Sequence, residues 1–195
     1  MKKVKFGIVG VGDFGVMHIQ ALKQLPEAEV HAVSCRTESR LKAICEKYKI
    51  PNWYTNVDDL MNDPEMDVII VATGEDTHYS FTEKAIREGK HVLLEKPICL
   101  NVEDGKKLLE LEQNTDLYIL PGHILRYDAS YNNAYRILQN EDMYGKILSI
   151  RVKRNVPIER FSLHSRTHPV FMALAHDIDI ITWLTNSRIK SVCGI

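Results

Sequence analysis

Lys5-Phe6-Gly7-Ile8-Val9-Gly10-Val11-Gly12-Asp13-Phe14-Gly15 decides the fold of this chain. Lys5–Val9 is short and apolar and ends on two β-branched residues, as a buried strand does. Glycines follow at once in the pattern G-x-G-x-x-G, and a helical pattern runs from Phe14 to Leu25 and stops at Pro26. The pattern alone is weak, because glycines cluster by chance. Placed between a strand and a helix, it points to a dinucleotide-binding turn. Gly10 permits the tight turn, Gly12 lets the backbone approach a pyrophosphate, and Gly15 lets the helix pack close to the strand. The phosphates would sit beside Asp13 and Phe14, facing free N–H groups and the positive end of the helix dipole. A purely structural turn is the plain alternative.

Outward from this turn, apolar runs of strand length alternate with helical patterns. Glu29–Ser34 reads as a second strand, and Thr37 as the N-cap of a helix over Arg40–Lys47. Asp67–Ala72 is a continuous apolar strand; Asp76 or Thr77 caps the next helix, which ends at Gly89 in the position favoured for a left-handed residue. His91–Leu94, a charged helix over Val102–Glu112 and Leu117–Leu120 complete the series. Near-continuous apolar strands separated by helices predict a doubly wound parallel Rossmann sheet, covered on both faces.

The residue that meets the adenine ribose decides the cofactor. An Asp or Glu about 20 residues beyond the motif suits NAD, whereas neutral residues with a nearby Arg suit NADP. Val33-Ser34-Cys35-Arg36-Thr37 holds no carboxylate, and the planar fork of Arg36 suits a 2′-phosphate. The cofactor indicated is NADP(H), with NAD(H) the alternative, since an Arg there can also stack on adenine.

The texture changes after Pro121, which places a boundary at residues 121–124: a dinucleotide-binding domain over 1–122, then a partial α+β domain over 123–195 for substrate and oligomerisation. Asn133–Gln139 is helical, Lys146–Val156 alternates as a half-exposed strand should, Pro169–Leu184 is helical, and Ile189–Cys193 begins a strand. These elements do not complete a sheet layer, so the second domain reads as truncated, with an open edge that would seek a second copy of the chain.

Composition narrows the function classes. The 195 residues are 45% hydrophobic and 26% charged, with a formal net charge of −1, so bulk charge points to neither nucleic acid nor membrane. Four scattered cysteines form no C-x-x-C pair, which argues against a zinc site, a redox dithiol or a disulfide framework. No apolar run spans a bilayer and the start carries no signal-peptide core. A reducing, cytoplasmic setting without metal is the expectation.

Four landmarks in order resemble the Gfo/Idh/MocA family of glucose–fructose oxidoreductase, inositol dehydrogenase and relatives. They are the Gly10–Gly15 turn; Val71-Ala72-Thr73 with His78; Gly89-Lys90-His91-Val92-Leu93-Leu94-Glu95-Lys96-Pro97, similar to the family's G-K-H-V-x-x-E-K-P; and His176-Asp177-Ile178-Asp179 with Trp183-Leu184. Gly122–Asp128 and Gly145-Lys146-Ile147 match weaker landmarks. The resemblance implies an NAD(P)-dependent oxidoreductase of a sugar, cyclitol or nucleotide-sugar secondary alcohol. It implies that Thr73, His78, Glu95 and Lys96 lie at the cofactor, that Lys96 also touches substrate, and that the Lys96–Pro97 bond is often cis. It also implies that Arg126, Tyr127 and Asp177 face the substrate; an interdomain structural role for Arg126 and Tyr127, and a structural acceptor role for Asp177 or Asp179, are the alternatives.

The chemistry of these residues agrees. Lys96 follows a buried strand at its carboxyl end, where such sheets bind ligands, and an ammonium there can donate to the oxygen that loses a proton. Partial burial would lower its pKa from about 10.4 toward the working range. A neutral His176 can accept that proton while hydride leaves the same carbon. On a helix, His176, Asp179 and Trp183 share a face. A surface lysine beside a turn proline, and a core histidine bonded to backbone, are the bland alternatives. Met172 stands where many relatives carry an Asp one turn before the histidine, and a thioether accepts weakly. His164 and His168 sit in a polar loop, and Lys153, Arg154, Arg160 and Arg166 read as a solvated face rather than an anion site. Two other functions stay open: a glycosidase that retains its cofactor and works through transient oxidation, and an NAD(P)-binding regulatory protein without turnover.

Overall fold

Val9 pairs with Ser34 on one side and Val71 on the other, so the strand before the glycine turn lies inside a sheet. The computed structural model describes residues 2–155, 157 and 173–194. The chain divides into two units, Met1–Gly122 and His123–Ile195.

The first unit carries strands β1 (Val4–Val9), β2 (Ala28–Ser34), β3 (Asn52–Tyr54), β4 (Val68–Val71), β5 (His91–Leu94) and β6 (Ile119–Pro121). Between them run helices α1 (Asp13–Leu22), α2 (Glu38–Tyr48), α3 (Val57–Met61), α4 (His78–Arg87) and α5 (Val102–Gln113). All pairings are parallel and the order is β3-β2-β1-β4-β5-β6, a Rossmann sheet whose strand order reverses between β1 and β4. Alternate residues feed two cores. Ile8, Val30 and Ile70 pack with Ile19, Leu22 and Leu41 on one face. Val9, Ile69 and Val71 pack with Leu60, Ala85 and Leu108 on the other. Both faces are thus dry, which is why the strands read as unbroken apolar runs.

Local signals set most boundaries. Gly89, at φ +74°, ends α4: its N–H donates to the Ile86 carbonyl at 3.0 Å and the Lys90 N–H to Ala85 at 2.9 Å. Thr37 and Thr77 occupy N-cap positions, but neither side chain caps. The Thr77 hydroxyl donates instead to the Gly74 carbonyl at 2.7 Å. Helix α1 stops three residues before the expected Leu25, and the chain tightens into three-residue turns there. The sequence reading did not include β3 or α3. Strand β3 has only three residues and pairs on one side, too short to show a period. The five-residue α3 is held by its Asn56 cap, which accepts from the Asp58 N–H at 3.0 Å.

The second unit, among its described residues, is helical: α6 (Ala129–Leu138), α7 (Glu141–Tyr144) and α8 (Ala175–Thr185), with a short 3-10 turn at Ile124–Tyr127. The strands expected over 146–156 and 189–193 are not formed in their described residues. Alternation makes a strand only where a neighbouring strand supplies its hydrogen bonds, and the described part of this unit offers none. Residues 169–172 of the expected final helix lie outside the described residues. Among the described residues, no helix is long and apolar enough to cross a membrane.

Candidate functional site at the carboxyl edge of the sheet

The register sets Ser34, Val9, Val71, Leu94 and Pro121 in one row across the sheet. The residues that follow (Cys35, Gly10, Ala72, Glu95 and Gly122) therefore leave it at one level, along the edge where such sheets bind ligands. Every sequence-identified site residue of the first unit lies on one of the first four of these exits or on the start of a following helix.

Structure separates the three glycines. Gly10 has φ +93°, and a Cβ on it would lie 2.3 Å from the Ala72 carbonyl oxygen. A Cβ on Gly15 would lie 2.0 Å from the Gly10 carbonyl oxygen. The chain's own packing thus explains both. Gly12 is different: its φ of −72° suits any residue, and a Cβ would meet nothing within 4 Å. What Gly12 preserves is open space in front of α1. That helix has no side-chain cap, and its first internal bond runs from the Val16 N–H to the Gly12 carbonyl at 2.9 Å. The N–H groups of Asp13, Phe14 and Gly15 precede this bond, so the intrahelical pattern leaves them to a ligand or water. Open room, uncapped donors and the dipole together fit the diphosphate of a dinucleotide.

The loops beside this cradle are braced. Thr77 gives its hydroxyl proton to Gly74, so at 2.7 Å the Thr73 hydroxyl donates to Thr77. The Thr73 oxygen keeps lone pairs for a donor. His78 is fully buried, with Nδ1 2.6 Å from the Pro97 carbonyl and Nε2 3.4 Å from that of Thr73. Its ring ties the β4 exit to the turn after β5 and is enclosed by protein. Arg36 is exposed in the loop after β2, where Cys35 donates its thiol to the Thr37 carbonyl.

Glu95 is buried and doubly engaged. Its Oε1 lies 2.7 Å from His18 Nε2, and its Oε2 accepts the Lys96 N–H at 3.3 Å. Burial alone would raise the Glu95 carboxyl. The bond and charge of His18, with the N–H and ammonium of Lys96, outweigh burial and hold it below the ordinary glutamate value. The Lys96–Pro97 bond is cis, and the Lys96 ammonium lies 5.8 Å from the centre of the exposed Phe14 ring. His18 escaped the sequence reading because the motif ended at Gly15. Its signal was helical spacing: it follows Phe14 by four residues and shares that face of α1.

In the second unit, α8 carries His176 in its first turn, with Nδ1 shielded from solvent. Arg126 grips Asp179 with two bonds, at 2.9 and 2.5 Å, and lies 5.9 Å from the Trp183 ring, which stacks on Tyr135 at 4.2 Å. Arg154 grips Asp177 at 2.6 and 2.7 Å. Two buried carboxylates need partners, and two arginines supply them, which is the structural role that stood as the alternative for Arg126 and Asp177; Arg154, on a face read as solvated, is exposed and paired. Tyr127 is exposed. Burial lowers the His123 imidazole below the usual histidine range, and Arg126 offsets the opposing pull of Asp179. Met172, His164, His168, Arg160 and Arg166 lie outside the described residues. Among the described residues, no group of three or more His, Cys, Asp or Glu could hold a metal ion.

The sheet order and the glycine cradle define a dinucleotide-binding type of Rossmann domain. The chain belongs to the Gfo/Idh/MocA oxidoreductase family, with an NAD-binding Rossmann fold, whose family model matches residues 4–123. It is 25% identical over 191 residues to a myo-inositol 2-dehydrogenase of Thermotoga maritima, covering 97% of this chain and 57% of that protein. It is 29% identical over 192 residues to an inositol 2-dehydrogenase of Salmonella typhimurium, covering 97% of this chain and 56% of the relative. Among solved structures, scyllo-inositol dehydrogenase of Lactobacillus casei with bound NAD(H) and scyllo-inositol superposes with a TM-score of 0.86 at 25% identity. That match covers 95% of this chain and 57% of the other. The chain thus spans a little over half the length of these relatives.

Proposed function

We propose that the protein transfers hydride between a nicotinamide dinucleotide and a ring secondary alcohol of a cyclitol or related sugar. The observation that carries this reading is the open cradle at Gly12, with the Lys96 ammonium beside Phe14 at the start of the same helix. The relatives named for inositol oxidation support the cyclitol class. Met1–Gly122 acts as the dinucleotide-binding domain and the second unit supplies the substrate side. When bound, the nicotinamide accepts or returns the hydride. Lys96 donates to the substrate oxygen and steadies it as charge develops, and His176 takes the hydroxyl proton. Thr73 accepts from the nucleotide, and Arg36, with no carboxylate at residues 34–37, receives a 2′-phosphate. NADP(H) is therefore the preferred cofactor. NAD(H) is the second reading, favoured by its presence in the Lactobacillus casei relative.

Fluorescence titration with NADPH and NADH, then NADP+ and NAD+ assays on myo-inositol, scyllo-inositol and sugars, tests the proposal. NADPH should bind at least tenfold tighter than NADH, and Arg36→Ala should remove that preference. Lys96→Met should abolish turnover while leaving nucleotide affinity within about threefold. Binding of neither nucleotide would overturn the reading. Binding without turnover on any of these alcohols would favour the regulatory alternative.

A further inference from the structure

We infer that His18 is a positioning residue: through Glu95 it holds the backbone of Lys96 in place against the first two turns of α1. Both ends of Lys96 are referred to that helix. Its N–H meets Glu95 Oε2, while Glu95 Oε1 meets His18 Nε2. Its ammonium lies over Phe14, one turn before His18 on the same helical face. The start of this helix is the uncapped, open end beside Gly12. One rigid element thus carries the diphosphate cradle, the aromatic surface for the ammonium and the anchor of the carboxylate. Gly122 closes the other side, since a Cβ there would lie 3.3 Å from Glu95 Oε2. With both oxygens engaged and that flank filled, Glu95 keeps one orientation. Without His18, the buried carboxylate loses its strongest partner and is drawn toward water or toward the Lys96 ammonium. Lys96 would then lose its fixed distance from the cradle. The other charged group acting on this pair is Lys96, on the β5 exit; the β6 exit contributes Gly122, which has no charge.

The inference rests on the proposed role of Lys96, so its test needs an arm that does not depend on turnover. Amide hydrogen exchange at Lys96 supplies it. In His18→Leu, with no donor, the Lys96 N–H should exchange at least tenfold faster than in the wild type. In His18→Gln, whose amide can donate from nearly the place of Nε2, it should stay within about threefold. With a cyclitol that supports turnover, His18→Leu should lower kcat about tenfold while KM for NADP+ moves less than threefold, and His18→Gln should restore most of kcat. Exchange at Lys96 unchanged in His18→Leu, or raised equally in both variants, would overturn the inference whatever the turnover. A wild type that binds NADPH but oxidises neither cyclitol nor sugar would overturn the proposed function, while the exchange arm still decides the positioning role.

Discussion

The two units solve the placing of polar groups in opposite ways. Around the glycine turn, position is set by shape: backbone meets backbone at Gly10 and Gly15, and one glycine keeps a volume empty. Around α8, position is set by charge: two arginines each grip a buried aspartate with paired bonds. Shape leaves α1's donors uncommitted and ready for an anion, whereas charge matching leaves α8's carboxylates already spent on internal partners. An anionic ligand is thus invited at α1 and not at Asp177 or Asp179.

The contrast breaks most readily at Gly15. Gly15→Ala puts a methyl on a backbone oxygen, and neither atom belongs to a flexible side chain. Alanine is the better helix former by about 1 kcal/mol, but backbone overlap costs on the order of 3 kcal/mol. The loss should win, appearing as a lower urea midpoint with an unchanged m-value. A variant as stable as the wild type would show that α1 is free to shift away from β1.

The charge-built side gives the next effect. Asp179→Asn keeps the size but removes the charge that holds Arg126. A hydrogen bond to a charged group contributes about 1.5–3 kcal/mol, and Arg126 is partly exposed, so water recovers some of the loss. We expect about 2 kcal/mol of destabilisation, with nucleotide affinity unchanged. Weakening of NADPH binding by the same substitution would erase the division of labour between the units.

How much was legible beforehand follows the same line. The turn at Gly10 and the close helix–strand approach at Gly15 were readable because a strand, a turn and a helix adjacent in sequence determine them. Gly89 was readable for the same local reason. The Arg126–Asp179 pair spans 53 positions, Arg154–Asp177 spans 23 and His18–Glu95 spans 77. No local pattern announces which arginine a carboxylate will meet once the chain is folded. So for Asp177 and Arg126 a substrate-side and a structural role both stayed open in the sequence, although each has an internal partner in the fold. The strand expected over 146–156 is not formed in its described residues for a related reason: alternation describes one strand, while a sheet needs two.

Glu95 lies between the two modes, a carboxylate held by a titratable partner inside the shape-built site. Its folded-state pKa is depressed, so its contribution to stability is complete above about pH 4.5, the ordinary value, and fades as pH falls through the lower folded value. His18→Leu should therefore cost about 1–2 kcal/mol near pH 7. The difference from the wild type should shrink as the pH drops below 4.5, where a protonated Glu95 no longer needs the hydrogen bond to His18 Nε2 to offset its burial. Denaturation midpoints measured from pH 3 to 7 give the curve. A difference that stays constant across this range would mean that His18 contributes packing alone.

The smallest stability effect belongs to Gly12, and it sharpens the comparison most. Alanine at a helix N-cap loses about 0.5–1 kcal/mol relative to residues favoured there. Replacing glycine also restricts the unfolded chain, which returns about 0.4–1 kcal/mol where the backbone conformation is allowed, as it is at φ −72°. With nothing within 4 Å of the new methyl, no overlap term enters. The two contributions nearly cancel, so Gly12→Ala should leave the denaturation midpoint within about 0.5 kcal/mol of the wild type. The same methyl stands where a diphosphate must approach the backbone, so NADPH affinity should fall at least tenfold. Stability held while affinity falls is the signature of a glycine kept for a ligand. A loss of stability with affinity intact would make Gly12 a structural residue like Gly10 and Gly15, and the space above it no more than a gap in the packing.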